Sequence, residues 1–178
     1  MTDQIKAMST LEEPVTTMAP WAQQIGRLVI AFGEIEYAVC QVLVHVPEVN
    51  QFPGMKNREF KVRANAAIGY TNARVQNDAP RRALVHGLNE AIKLAESRNL
   101  IAHNPVRFAL YTGPDEQQIN FRMEIVSLRD ETKIVTLPQV QALADKAEGV
   151  AGSLDEALRQ VFGVIYPLTP ADWSEVVS

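Results

Sequence analysis

The stretch Arg98-Asn99-Leu100-Ile101-Ala102-His103, followed by Asn104-Pro105, is a polar break at the end of a long apolar stripe, and the fold is read outward from it. Leu84, Leu88, Ala91, Ile92, Ala95 and Ala102 recur at the three- and four-residue spacing of a helix that buries one face. The residue before a proline avoids the helical region, so Asn104 leaves the helix and His103 falls in its last turn. The predicted helix runs from about Pro80 to His103, with Asn77 or Asp78 able to cap its start. At about 100° per residue, Asn99 and His103 share nearly one face, while Arg98 and His103 lie about 140° apart. Arg98 and Asn99 are expected to continue the inner stripe, where polar groups are costly unless partnered.

Upstream, a first helix is predicted from about Pro20 to His45, where Pro47 forces an end. Its inner residues are Ile25, Val29, Phe32, Val39 and Leu43, flanked by Leu28, Ile35 and Val42. Glu36 interrupts that stripe and should point inward, which makes it the expected partner of Arg98. Residues 46–54 read as a connector. A second helix is expected from about Met55 to Gln76, with Phe60, Ala64, Ala67 and Ile68 inside and Lys56, Arg58, Lys61 and Arg63 forming a positive face. Such a face is either a solvated surface or an extension of an RNA-binding surface.

Downstream, Val106 to Tyr111, Ile119 to Val126 and Lys133 to Thr136 are short β-prone runs separated by turn residues. A last helix is predicted from Leu137-Pro138 to about Phe162, with Val140, Leu143, Ala144, Ala147, Val150, Ala151, Leu154, Leu158 and Val161 inside and a bend possible at Gly149 and Gly152. The expected architecture is mainly α: an antiparallel four-helix bundle with a small antiparallel hairpin or three-stranded sheet inserted, at about residues 106–136, before the last core helix. Residues 1–19 read as a flexible lead-in and 166–178 as a tail packed on the surface around Trp173.

A chain of 178 residues is long enough for one domain with a substantial core, and 47% hydrophobic against 21% charged residues is the balance of a folded globule. A net charge of −4 argues against coating nucleic acid through a broad basic surface but leaves room for a local phosphate site. Cys40 is the sole cysteine, so no intrachain disulfide forms and its apolar neighbours point to plain packing. Leu28 to Val46 is apolar enough to raise the question of a membrane span, but Glu34 and Glu36 sit inside it, where charge is costly in lipid. With no signal-peptide core before Pro20, the expected location is the cytoplasm. No His-Glu-x-x-His run, phosphate-binding glycine loop or Gly-x-Ser-x-Gly elbow occurs, so no metal or other cofactor is expected. His45, just before Pro47, reads as a helix C-cap, and Trp21 as a packing residue.

Arg98 and Asn99, three further residues, then His103 resembles the Arg-x4-6-His motif of the HEPN superfamily, with its preferred polar residue directly after the arginine. The resemblance extends at bundle level over about Pro20 to Phe162. A second match in spacing, Arg81 with His86, lies on the first turn of its helix and is read as coincidence. The resemblance implies a helical bundle carrying the motif near the end of its third core helix, and for catalytic members a metal-independent endoribonuclease of the toxin or defence kind. Such enzymes cut by attack of the ribose 2′-hydroxyl, commonly in a homodimer that joins two motifs, and an antitoxin or other protein partner is implied as a restraint. His103 would then transfer protons, since imidazole titrates near neutrality, Arg98 would hold the phosphate, Asn99 would orient His103 or the substrate, and Glu36 would support Arg98. The competing reading is a non-catalytic interaction or dimerisation module, in which Arg98 and Asn99 seal the bundle through Glu36 and His103 caps its helix.

Overall fold

The computed structural model describes residues 17–112 and 119–162. The elements are α1 (Ala19–His45), α2 (Phe52–Met55), α3 (Phe60–Arg74), α4 (Asp78–Ala102), β1 (Val106–Thr112), β2 (Ile119–Val126), β3 (Ile134–Val135) and α5 (Leu137–Phe162). The described chain is thus mainly helical, with a three-stranded antiparallel sheet in the order β1-β2-β3 between α4 and α5. The expected tail around Trp173, most of the lead-in and the turn joining β1 to β2 lie outside the described residues.

Helix α5 packs along both α1 and α4, α3 packs on α4 and α1, and α1 and α4 touch across the middle. The core formed between them contains Trp21, Leu28, Phe32, Ile35, Val39 and Leu43 from α1, Leu84 and Leu88 from α4, and Val140, Ala147 and Leu154 from α5. Removing this apolar surface from water is the main force that holds the helices together. Gly87 marks a close approach of α4 to α5, since a Cβ there would stand 2.7 Å from Leu154 Cδ2. Ion pairs fasten the rims: Arg27 holds Asp145 and Glu148 of α5 at 2.7 and 2.6 Å, and Lys146 reaches Glu90 of α4 at 2.8 Å.

By length and composition α1 could cross a membrane, yet half of its most apolar stretch is buried within the fold. Its buried stripe is centred on Leu28, Ile35, Val39 and Val42. Val29, expected inside, is 50% exposed because it sits one residue, about 100°, from Leu28. In the last turn of α4, Ile101 is buried in place of Ala102, which is exposed.

The expected second helix is two elements. Pro53 stands in the first turn of the short α2, a turn follows, and Glu59, with extended ψ of 148°, precedes α3. Lys56, Asn57, Arg58 and Glu59 are all exposed, and with no apolar side chain among them nothing anchors a continuous helix to the core. Asn77 caps α4 by accepting from the Ala79 amide at 3.3 Å. Gly149 and Gly152 lie within an uninterrupted α5.

In the sheet, Val106 pairs with Ile125, Phe108 with Met123 and Leu110 with Phe121. Met123 and Ile125 enter the core, whereas Phe108, Leu110 and Phe121 are exposed. Glu124, on the opposite face, is 1% exposed and lies 2.9 Å from Arg122 and 3.9 Å from Arg107.

Candidate functional site

Helix α4 delivers the polar segment and ends at Ala102, one residue earlier than expected, so His103 is the C-cap and its amide donates to the Asn99 carbonyl at 3.1 Å. That placement turns the imidazole out of the bundle. His103 and Asn99 are both exposed, so Asn99 does not continue the inner stripe. Each lines an open cleft of about 790 Å³ between the end of α4 and the loop joining β2 to β3. Leu100 floors the α4 side, and Ser127, Arg129 and Lys133 line the loop side. The His103 ring makes no side-chain hydrogen bond or ion pair among the described residues.

The loop wall is tied to the end of α4 by the Asn104 side chain. Asn104 donates to the Leu100 carbonyl at 2.6 Å and accepts from the Leu128 amide at 2.7 Å, joining helix end to loop. Ser127 Oγ accepts from the amides of Arg129 and Asp130, at 3.2 and 3.3 Å, and shapes the turn. The Asp130 carboxylate is engaged within the same turn by Thr132 Oγ1 at 2.6 Å and lies 3.6 Å from Lys133 Nζ. The Thr132 hydroxyl, then its amide and the nearby Lys133, hold the Asp130 carboxyl below its ordinary pKa.

Arg98 points the other way, towards α1, and is not in the cleft lining. Its guanidinium stacks over the Phe32 ring at 4.9 Å and donates to Asn99 Oδ1 at 3.1 Å. Glu36 lies beside it at 3.9 Å, so the expected partner is in place, at a separation longer than a hydrogen bond. The nearer claimant on Glu36 is Arg63 of α3, which donates at 3.2 Å. Arg63 is therefore not part of an exposed positive face: its side chain is only 12% exposed and neutralises Glu36. Lys56, Arg58 and Lys61 are exposed, but only Lys61 lies on α3, so the four cations do not share a helix face.

Cys40 is half-buried with Sγ 4.0 Å from Arg63 Nη1, and burial pushes its thiol pKa up. His45 ends α1 with its ring edge-on to Phe162 at 5.7 Å, and Trp21 is fully buried. No group of three or more His, Cys, Asp or Glu placed to hold a metal ion occurs among the described residues.

Sequence reasoning missed Asn104, Arg129 and Lys133. Their signal is tertiary, since the loop approaches α4 from residues 24 or more positions along the chain. The cleft joins an exposed imidazole and an asparagine one turn away, with Arg129, Lys133 and the Asp130 carboxylate on the facing wall and Glu96 on the α4 side. Comparison of the chain with family models, with curated proteins and with solved structures finds no match.

Proposed function

We propose that the protein is a HEPN-like endoribonuclease that cleaves RNA without a metal ion, working as a homodimer in the cytoplasm and restrained by a protein partner. The helices α1, α3, α4 and α5 correspond in this reading to the antiparallel four-helix bundle of that superfamily, with the sheet as an insertion before its last helix. The observation that carries the reading is the exposed, unengaged imidazole of His103 in an open cleft beside Asn99. Cleavage requires removal of the proton from a ribose 2′-hydroxyl, attack of that oxygen on the adjacent phosphorus, and protonation of the departing 5′-oxygen. One imidazole supplies one proton-transfer group, so a second copy of the chain supplies the other. Arg98, held on Phe32 and beside Glu36, supports the site through its hydrogen bond to Asn99 Oδ1, a cleft residue. The test is incubation of the purified protein with total RNA in the presence of EDTA, wild type beside His103→Ala. Cleavage by the wild type alone supports the reading, and equal cleavage or none removes it.

The contacts of Arg98 favour a second reading, a non-catalytic interaction module in which Arg98 serves the fold. A guanidinium packed on Phe32 and facing a carboxylate already joins α4 to α1 without any substrate. On that reading His103→Ala leaves both RNA and partner binding unchanged.

A further inference from the structure

We infer that Arg129, on the loop between β2 and β3, is the residue that grips the RNA phosphate beside His103, a role the motif alone would give to Arg98. The inference rests on the ribonuclease reading and concerns how the same cleft binds its substrate.

Three observations carry it. Arg98 is committed elsewhere: its guanidinium spends its contacts on Phe32, Asn99 and Glu36 and is absent from the cleft lining. Lys133 is in the lining, but Asp130 faces it at 3.6 Å and offsets much of its charge. Arg129 is exposed on the same wall, and its guanidinium makes no hydrogen bond or ion pair among the described residues. Glu96 and Asp130 also line the cleft, so Arg129 and Lys133 together only balance two carboxylates, and without Arg129 the lining would carry a net negative charge that repels a phosphodiester.

Geometry supports the assignment. The Arg129 backbone is fixed by its N–H, which donates a hydrogen bond to Ser127 Oγ at 3.2 Å, and the adjoining Leu128 is tied to α4 through Asn104 at 2.7 Å. The guanidinium thus starts from a base whose position relative to His103 is set by two hydrogen bonds, while the side chain remains free to meet the substrate. A planar guanidinium suits a phosphate, which it can hold through two parallel N–H donors. Asn104 is a positioning residue in this scheme, because it acts through the loop and touches no reacting atom.

The experiment measures binding of a short single-stranded RNA whose 2′-hydroxyls are all methylated, so that it cannot be cut, by fluorescence anisotropy over a salt series. Cleavage of the unmodified RNA is followed in parallel, for wild type, Arg129→Gln, His103→Ala and Arg82→Gln. Arg82 is an exposed cation in the first turns of α4, at the far end of that helix from His103, and controls for loss of surface charge. The expected result is a 5- to 10-fold weaker Kd for Arg129→Gln, with the slope of log K against log salt reduced by about 0.7, the value for one phosphate contact on a single strand. His103→Ala should bind like wild type and fail to cut, and Arg82→Gln should match wild type in both. If wild type and Arg129→Gln bind with equal Kd and equal salt slope, the inference is overturned, while loss of cutting in His103→Ala still upholds the ribonuclease reading. If wild type neither binds nor cuts, both fall.

Discussion

Glu36 of α1 accepts a hydrogen bond from Arg63 of α3 at 3.2 Å, and its other carboxylate oxygen stands 3.9 Å from Arg98 of α4. One carboxylate thus serves two guanidiniums and ties three helices together. Arg63 is the more deeply placed, and the Nε atoms of both arginines are buried without partners. Replacing Glu36 by Gln leaves two cations facing each other across a half-buried site. The expected cost is about 1–2 kcal/mol, between that of an exposed pair and that of a fully buried one. Urea unfolding should show a lower midpoint with an unchanged slope. No change in midpoint would mean that solvent already screens the arginines.

The glycines of α4 and α5 should respond with opposite signs. Alanine at Gly87 would place a methyl 2.7 Å from the buried Leu154 side chain, so Gly87→Ala is expected to destabilise by about 1–3 kcal/mol. Gly149 is exposed and has open space where a Cβ would lie, so Gly149→Ala should stabilise by about 0.5–1 kcal/mol through helix propensity alone. Thermal unfolding of the two variants beside wild type checks both signs.

Asn104→Ala removes the acceptor of the Leu128 amide and the donor to the Leu100 carbonyl. The expected loss is about 1 kcal/mol, since one of the two hydrogen bonds is part-buried and the other exposed. Hydrogen exchange should accelerate at the Leu128 amide while the core of α4, around Leu84 and Leu88, keeps its protection. Uniform acceleration across α4 would show that Asn104 supports the whole fold and not the loop wall.

Glu90 accepts from Lys146 and Lys93, and these hydrogen bonds lower its pKa from 4.5 to about 2. A depressed folded-state pKa means the contribution is complete above pH 4.5 and is lost as pH falls towards 2. Wild type should therefore exceed Glu90→Gln in melting temperature above pH 4.5, and the two curves should converge as pH approaches 2. A gap that persists unchanged at low pH would assign the effect to packing.

Helices α1, α4 and α5 were legible in the sequence because their apolar residues repeat with helical spacing and are bounded by Pro47, Asn77 and Pro105. The strand runs were legible from alternation and β-branched residues, to within a residue or two of the ladder. The break between α2 and α3 was not, since Lys56 to Glu59 suit a helix by propensity and only the absence of an apolar anchor unwinds them. The pairing of Glu36 with Arg98 followed from two polar residues entering facing stripes. Arg63 escaped because its neighbours Arg58 and Lys61 made it look like one more solvated cation, whereas Ala64 and Ala67, small but fully buried, turn its helix so that it points to Glu36. The cleft wall of Arg129 and Lys133 had no local signature at all. Among the described residues, the Asn104 side chain hydrogen-bonds that loop to the end of α4 that carries His103.

In the proposed ribonuclease, the His103 imidazole, exposed at the end of α4, transfers a proton in RNA cleavage. The measurement that tests it most directly is the chemical identity of the ends formed when wild type and His103→Ala are incubated with one defined single-stranded RNA in EDTA. The expected result is 2′,3′-cyclic phosphate and 5′-hydroxyl ends from wild type, and a loss of at least about 100-fold in rate for His103→Ala, the lower range for removing an acid–base group. Intact RNA with wild type, 3′-hydroxyl ends, or equal rates for the two proteins would contradict it.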